Sequence, residues 1–155
     1  MRQTSLLALF MKRGYADGPH GQVHYQDTGN DGTPLLLLPM GPCSSRMYDR
    51  MYDRFAEAGF RAIGFDPPGY GMSDPTASPP LLEDWTDSCV AVLDHLGLER
   101  CNVLGKATGA LLAADLAVKH PLRVERVVFV NPVVKTPEER ALARSELEKK
   151  GVASA

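Results

Sequence analysis

The chain has 155 residues, a formal net charge of −2, 44% apolar residues and 23% charged residues. This balance is typical of one globular domain with a single hydrophobic core, and it argues against disorder. No stripe of lysine and arginine side chains occurs, so we expect no nucleic-acid partner. No apolar run approaches the ~20 residues of a membrane span, so we expect no membrane partner.

Cysteines and histidines are scattered along the chain, at Cys43, Cys89, Cys101, His20, His24, His95 and His120. None of them has the spacing of a metal site, and we expect neither a metal nor another cofactor. An odd number of dispersed cysteines is typical of reduced thiols in the cytoplasm, where we expect the protein to reside. The apolar run near the N-terminus is too short for a signal peptide. We therefore predict a disordered extension over residues 1–13.

The first predicted elements are strands. Residues 14–29 alternate polar and apolar positions around the turn DGPHG, which predicts a β-hairpin. The run LLLL at 35–38 is apolar on both faces, which predicts a strand in the middle of a parallel sheet. Ser44 and Ser45 are candidate N-caps for a helix over about 46–58. Its expected core face carries Met47, Met51 and Phe55.

Strands and helices then alternate. Residues 60–66 predict a strand, and the segment from Leu82 to Leu96 predicts a helix that Gly97 ends. We expect its core face to carry Trp85, Cys89, Val92, Leu93 and Leu96. RCNVLG predicts the next strand. TGALLAADLAVKH predicts a helix that is apolar around most of its circumference and therefore buried.

The last predicted elements are a strand at 124–130 and a helix from Thr136 to Lys150, which begins with a capping box closed by Glu139. The order β-α-β-α-β-α-β after a hairpin predicts an α/β fold, with a mainly parallel, twisted sheet and helices on both faces. Ligands bind such sheets at the carboxyl ends of the strands. Three glycine-containing loops are expected there, namely PMGPCSS, DPPGYGMSD and GKATGA.

Four segments, in this order, resemble the α/β-hydrolase superfamily. GQVHYQDTG is similar to its opening hairpin, and LLLLPMGPCSS to its strand and oxyanion loop, usually written H-G-x-P. FDPPGYGMSD resembles its D-x-x-G-x-G-x-S loop, and VLGKATGALLAADLAVKHPLRVERVVFVNP its nucleophile elbow, helix and following strand. The resemblance covers residues 14–135, with 136–155 as the first lid helix and a tail. It implies a truncated α/β-hydrolase fold and an ancestral ester or acyl hydrolysis.

The elbow of this family places its nucleophile on a strained strand-to-helix turn, between small residues. That position is Ala107 here, and Gly105 and Gly109 are the small neighbours. The resemblance makes the backbone N–H groups of Thr108 and Gly41 the donors of an oxyanion hole. We expect the Thr108 side chain to turn away from the site and to serve as a helix-start hydroxyl.

Departures from the family pattern bear on activity. Ala107 carries no nucleophile, Pro39 replaces the histidine of H-G-x-P, and Met40 replaces its first glycine. The family's acid and histidine follow later strands, whereas the sequence ends at Ala155. We therefore expect the chain to be catalytically inactive as it stands.

Other residues near the elbow have plainer interpretations. Lys106 is expected to be a solvated lysine, although an anion site is the alternative. Met40 and Cys43 are expected to line the pocket, with an unreactive thiol on Cys43. For Asp66 and Ser73 of the glycine loop we expect turn hydrogen bonds rather than catalysis.

Three functions stay open at this point: an inactive hydrolase-family protein, a non-catalytic module that binds a small carbonyl or carboxylate ligand, and part of a longer hydrolase. The strand at 126–130 is expected at an edge of the sheet, and edge strands invite pairing. Three outcomes are open for this edge: the C-terminal helix covers it, another chain pairs with it, or the protein is a fragment. We expect a homo-oligomer through this strand.

Overall fold

The computed structural model describes residues 11–149, so residues 1–10 of the predicted extension lie outside the described part. The strands are β1 (Lys12–Gly18), β2 (Gly21–Asp27), β3 (Thr33–Leu38), β4 (Phe60–Phe65), β5 (Cys101–Lys106) and β6 (Val124–Val130). The helices are α1 (Tyr52–Glu57), α2 (Leu82–His95), α3 (Thr108–Lys119) and α4 (Pro137–Lys149), with a 3₁₀ turn at Ser45–Tyr48.

The strands form one sheet in the order β1-β2-β4-β3-β5-β6. β1, β2 and β4 pair antiparallel, whereas β4, β3, β5 and β6 pair parallel. α2 and α3 pack on one face of the sheet, and the 3₁₀ turn and α1 pack on the other. The predicted mainly parallel sheet with helices on both faces is confirmed. Within residues 11–149, no helix is long and apolar enough to cross a membrane.

The central strand β3 explains the run of four leucines. Successive side chains of a strand point to opposite faces. Leu36 and Leu38 therefore join the core under α2 and α3, and Leu35 and Leu37 join the core under α1. All four are buried. A strand with an apolar core on each face has no polar positions, as the sequence predicted.

The segment predicted as one helix over 46–58 divides into the 3₁₀ turn and α1. Met47 and Phe55 pack against the core as predicted, whereas Met51 is 39% exposed. The buried aromatic side chains of the segment are those of Tyr48 and Tyr52. The 3₁₀ turn shifts the helical phase, because it has three residues per turn rather than 3.6. Each phenol is satisfied: Tyr48 Oη donates to the Leu38 carbonyl at 2.9 Å, and Tyr52 Oη donates to the Ser45 carbonyl at 3.1 Å.

Two boundaries also differ from prediction. β1 begins at Lys12, so two residues assigned to the disordered extension lie in a strand. Ser44 stands at the N-cap position of the 3₁₀ turn without a capping side-chain hydrogen bond. The cap comes from another part of the chain, because the carboxylate of Asp66 accepts the Ser45 N–H at 2.7 Å.

The end of the chain follows the predicted pattern. The Thr136 N–H donates to Glu139 Oε2 at 2.8 Å, and the Glu139 N–H donates to Thr136 Oγ1 at 3.2 Å, which forms the expected capping box. The side chains of Val128 and Phe129 on β6 remain 51% exposed. α4 therefore leaves this strand uncovered.

Asp66 is the polar centre of the carboxyl side of the sheet, and it is 1% exposed. Its carboxylate accepts the backbone N–H groups of Ser45 and of Met72 (2.9 Å), and it pairs with His24 Nδ1 at 3.0 Å. Ser73 Oγ donates to the Asp66 carbonyl at 2.6 Å and accepts the His24 N–H at 2.9 Å. The expected turn hydrogen bonds are present. They join β2, the glycine loop and the 3₁₀ turn.

Replacing Asp66 by alanine should strongly destabilise the fold. The substitution leaves the buried Ser45 N–H, the part-buried Met72 N–H and the His24 imidazole without their acceptor. We therefore expect the free energy of unfolding to fall by about 3–5 kcal/mol. Urea denaturation followed by circular dichroism measures this change. Asp31→Ala, at an exposed loop position, is the matched control and should stay within about 0.5 kcal/mol of the native chain. Equal midpoints for the two variants would contradict the central role of Asp66.

Candidate functional site

The turn between β5 and α3 holds Ala107 at φ 51° and ψ −112°. A residue with a Cβ rarely adopts this conformation, which costs about 1–3 kcal/mol and persists only where the surroundings impose it. Two backbone hydrogen bonds do so here. The Ala107 N–H donates to the Val130 carbonyl at 3.0 Å, and the Ala107 carbonyl accepts the Ala110 N–H at 3.0 Å. The apex is therefore fixed from β6 and from α3.

Gly105 and Gly109 allow the backbones around the apex to come together. A Cβ on Gly105 would collide with the carbonyl of Gly109 and would lie 2.8 Å from the Cα of Ala110. A Cβ on Gly109 would collide with the Leu38 carbonyl and would lie 2.6 Å from that of Pro39. No flexible side chain can move to relieve these contacts, because the atoms belong to the backbone. The strand-to-helix turn therefore requires glycine at both positions.

Thr108 behaves differently from the prediction. Its hydroxyl does not turn away from the site, because Thr108 Oγ1 accepts the Gly41 N–H at 2.9 Å. The first residue of α3 thus lies against the loop that follows β3. The Thr108 hydroxyl accepts the Gly41 N–H, the group that the resemblance made a donor to an oxyanion. The Thr108 N–H stands at the first position of α3, where helix geometry supplies no intrahelical acceptor.

Trp85 lies beside the loop after β3, and Tyr70 packs against Trp85. Trp85, at the start of α2, lies 4.0 Å from where a Cβ on Gly41 would be, and its ring meets that of Tyr70 nearly edge-on, with centroids 5.8 Å apart. Trp85 Nε1 is buried and has no hydrogen-bond partner among the described residues. Sequence reasoning assigned Trp85 to the core face of its helix and missed its position beside the site. The helical periodicity gave no signal for it.

The remaining predicted site residues lie at the carboxyl end of the same strands. Met40 and Cys43 occupy the loop after β3 and are half-buried, and the Cys43 N–H donates to the Met40 carbonyl at 2.7 Å. Lys106, also half-buried, ends β5 and pairs in register with Val130 of β6.

The other two cysteines lie in the core and have no place at the site. Cys89 is fully buried and Cys101 nearly so. Burial raises the pKa of the Cys101 thiol to about 11 and raises that of Cys89 well above its ordinary value. Both are therefore thiols near neutral pH and pack as small apolar groups.

The four histidines make contacts away from the elbow. His20 Nε2 lies 2.9 Å from Asp84, His24 pairs with Asp66, and the ring of His95 lies 5.5 Å from that of Tyr25. His120 follows the last residue of α3, which places it about 18 Å along the helix from the apex. None of these contacts involves residues 105–109.

The spacing of the cysteines and histidines predicts no metal site. Within the described part of the chain, no three His, Cys, Asp or Glu side chains come together in a group that could hold a metal ion.

The site is thus a strand-turn-helix elbow whose apex is alanine and whose flanking residues are glycines. A family model described as alpha/beta hydrolase fold matches residues 33–150. The chain belongs to the α/β-hydrolase family. The resemblance drawn from the four sequence segments is confirmed.

Known relatives of this α/β-hydrolase-family chain include hydrolases of different kinds. A 2-hydroxy-6-oxononadienedioate/2-hydroxy-6-oxononatrienedioate hydrolase of Burkholderia vietnamiensis is 36% identical over 118 residues, which are 74% of this chain and 41% of that protein. A haloalkane dehalogenase of Mycolicibacterium paratuberculosis is 32% identical over 125 residues, which are 77% of this chain and 40% of the relative. The chain therefore spans about two fifths of the length of these curated relatives.

The fold is also that of solved hydrolase structures. The crystal structure of a hydrolase from Pseudomonas aeruginosa PA01 superposes with a TM-score of 0.80 at 22% identity, over 92% of this chain and 54% of that one. An esterase from Exiguobacterium antarcticum gives a TM-score of 0.74 at 21% identity, over 90% of this chain and 57% of the esterase. These similarities establish the fold of the described sheet and helices.

Replacing Ala107 by glycine should stabilise the chain. Glycine adopts the φ and ψ of the apex without steric cost, which outweighs its greater freedom in the unfolded state, so we expect the free energy of unfolding to rise by about 1 kcal/mol. Urea denaturation measures the difference. Ala114→Gly, within α3, is the matched control and should lose about 1 kcal/mol. A loss of stability in both variants would show that the apex of the native chain is unstrained.

Proposed function

We propose that this α/β-hydrolase-family chain binds a small carbonyl or carboxylate compound at its elbow and does not hydrolyse it. The ancestral reaction of the scaffold is ester or acyl hydrolysis through a covalent intermediate. The proposal rests on Ala107, because an alanine methyl group can neither attack a carbonyl carbon nor form an acyl-enzyme. This holds whatever other groups surround the elbow, since a base has no hydroxyl to activate.

The groups that remain suit an oxygen ligand with negative or partial negative charge. The N-terminus of α3 presents unpaired backbone N–H groups, which favour anions. The Gly41 N–H donates to the Thr108 hydroxyl oxygen. It can donate to an oxygen atom of a ligand instead when that hydroxyl moves away. Lys106, at the end of β5, adds a positive charge beside the elbow. Together these groups support a ligand with a carboxylate or polarised carbonyl.

The relative from Burkholderia vietnamiensis supports the same ligand class. Its name gives an oxo-dicarboxylate as substrate, and the relative is 36% identical over 118 residues. A ketone and a carboxylate are therefore the two groups that we propose this chain to recognise. Short 2-oxo acids, which contain both, are suitable probes.

Ester hydrolysis tests the inactive elbow. We expect release of p-nitrophenol from p-nitrophenyl acetate to stay at the rate of buffer for the native chain and for Ala107→Ser alike. The serine variant gains a hydroxyl, but the contacts of the four histidines lie away from the elbow within the described residues, and proton abstraction requires a base within ~3 Å. The assay follows the release of p-nitrophenol beyond one equivalent per chain. This distinguishes catalytic turnover from a single acylation of surface lysines.

Ala114→Ser is the matched control for that assay, since it adds a hydroxyl one helical turn or more from the apex. Sustained turnover by the native chain would overturn the proposal of an inactive elbow. Turnover by Ala107→Ser alone would show that a base does stand beside the apex, and would leave the native chain inactive.

Ligand binding tests the second half of the proposal. Titration of the ¹⁵N-labelled chain with pyruvate should shift the amide signals of Gly41 and Thr108. Thr108→Val removes the hydroxyl that occupies the Gly41 N–H, and so should tighten binding about 5-fold, the equivalent of one hydrogen bond near 1 kcal/mol. Thr76→Val, in an exposed part of the glycine loop, should leave the affinity unchanged. Unshifted amides at high millimolar pyruvate would reject this ligand class.

A second candidate function is that of one part of a longer α/β hydrolase. The observation that favours it is coverage: the chain spans 41% of the Burkholderia vietnamiensis relative and 54% of the Pseudomonas aeruginosa structure. The intact mass of the protein isolated from its own cells distinguishes the two candidates. In either of them, Ala107 excludes attack by a serine at the elbow.

A further inference from the structure

A small polar cavity lies where β1 and β2 meet the loops after β3 and β4. Its volume is about 250 Å³, below the roughly 300–1,000 Å³ of sites for drug-sized ligands. We call it the His24 cavity. Its lining residues all lie between positions 13 and 72, and they are Arg13, His24, Gln26, Ser44, Arg46, Asp66, Gly71 and Met72. The cavity thus includes no residue of the elbow or of β6.

His24 brings a buried polar atom to this cavity. Its side chain is 5% exposed, and its Nδ1 lies 3.0 Å from Asp66 Oδ2. Its backbone N–H donates to Ser73 Oγ, and its carbonyl accepts the Asp66 N–H at 2.9 Å. Within residues 11–149, Nε2 of the same ring makes no hydrogen bond. Because polar atoms of buried side chains nearly always have a partner, Nε2 indicates a ligand.

Asp66 determines which hydrogen bond Nε2 can make. Its carboxylate accepts the backbone N–H groups of Ser45 at 2.7 Å and of Met72 at 2.9 Å, and so it also accepts the proton of His24 Nδ1. In a neutral imidazole, a proton on Nδ1 leaves a lone pair on Nε2. The cavity therefore presents an acceptor that suits an O–H group of a ligand.

Two arginines from separate elements bring positive charge to the same cavity. Arg13 Nε donates to Gln26 Oε1 at 3.4 Å, and Arg46 Nε donates to Asp49 Oδ2 at 3.3 Å. Both guanidinium groups are thus oriented through Nε, and among the described residues neither donates a hydrogen bond through its Nη atoms. These Nη groups have the geometry that binds the oxygen atoms of an anion.

We propose that the His24 cavity binds a phosphate group, either free phosphate or that of a small phosphate monoester. A phosphate group loses its last proton near pH 6, so it can carry an O–H group beside charged oxygen atoms. The O–H donates to His24 Nε2, and the charged oxygens accept from Arg13 and Arg46. Sulfate and carboxylates carry no O–H group at this pH and match only the arginines. This site is independent of the function proposed for the elbow.

The charges of the lining side chains also favour an anion. Arg13 and Arg46 are cationic, and Asp66 is the one carboxylate among the lining residues. That carboxylate already accepts from two backbone N–H groups and from His24, so its charge is offset where it stands.

Titration calorimetry of the 155-residue chain near pH 6 tests the site with inorganic phosphate, glycerol 3-phosphate and sulfate. We expect one phosphate site per chain, and the tighter of the two phosphate compounds identifies the source of the group. Sulfate should bind about 10-fold more weakly, because it offers no proton to Nε2. Equal affinities for sulfate and phosphate, or no binding of either phosphate compound at high millimolar concentration, would overturn the proposal.

Substitutions distinguish the role of the imidazole from that of the guanidinium groups. His24→Asn retains a side-chain donor for Asp66 and removes Nε2, so it should abolish the preference for phosphate over sulfate. Arg13→Gln and Arg46→Gln should each weaken the binding of both anions about 5-fold. Arg50→Gln, at an exposed arginine outside the cavity, is the matched control and should bind like the native chain.

Circular dichroism establishes that these variants are folded. A His24→Asn chain that keeps the preference for phosphate would overturn the role of Nε2. Arginine variants that bind like Arg50→Gln would overturn the site. The location is checked on the ¹⁵N-labelled chain, where phosphate should shift the amide signals of Gly71 and Met72. Shifts confined to Thr108 would place the anion at the elbow instead and would reject the His24 cavity.

Discussion

The start of α3 touches the end of β3 with no side chain between them. Gly109 lies against the carbonyls of Leu38 and Pro39, and Gly105 lies against the carbonyl of Gly109. This contact between backbones sets the distance from β3 to α3. It also forces the chain to turn sharply at Ala107, which takes a conformation that residues with a Cβ rarely adopt. The placement of the oxyanion loop, the elbow and the end of β6 depends on it.

A turn held by backbone packing is independent of the chemistry that its apex performs. The glycines and the hydrogen bond from Ala107 to Val130 fix the conformation, and none of these contacts involves the side chain at the apex. The conformation of the elbow therefore does not depend on a functional group at its apex. The elbow shows how the strand and helix pack, whereas acyl transfer requires both a nucleophile at the apex and a base to activate it.

The elbow and the edge of the sheet are physically continuous. The Val130 carbonyl that holds Ala107 belongs to β6, which pairs with β5 on one side and has no strand partner on the other among the described residues. On the opposite side of the site, Asp66 performs a comparable role, since its carboxylate joins the glycine loop to the 3₁₀ turn and to β2. Both supports come from residues distant in sequence.

Local patterns in the sequence determined the order of the elements and the family. The four leucines of β3, the apolar face of α2 and the capping box at Thr136 all report contacts within one strand or one helix, where periods of 2 and 3.6 residues apply. The two elbow glycines and Ala107 could be recognised because their spacing is local as well. From these features the mainly parallel sheet and the strand-turn-helix elbow follow.

Tertiary structure decided how distant segments meet. Thr108 Oγ1 binds the N–H of Gly41 across 67 residues of sequence, and His24 pairs with Asp66 across 42. Tyr48 and Tyr52 are buried in the core and Met51 is exposed, because a 3₁₀ turn shifts the helical phase. Such contacts depend on the positions of separate elements in space, and periodicity within one element carries no information about them. The sequence therefore determined that the apex is alanine, and the folded chain determined which groups stand around it.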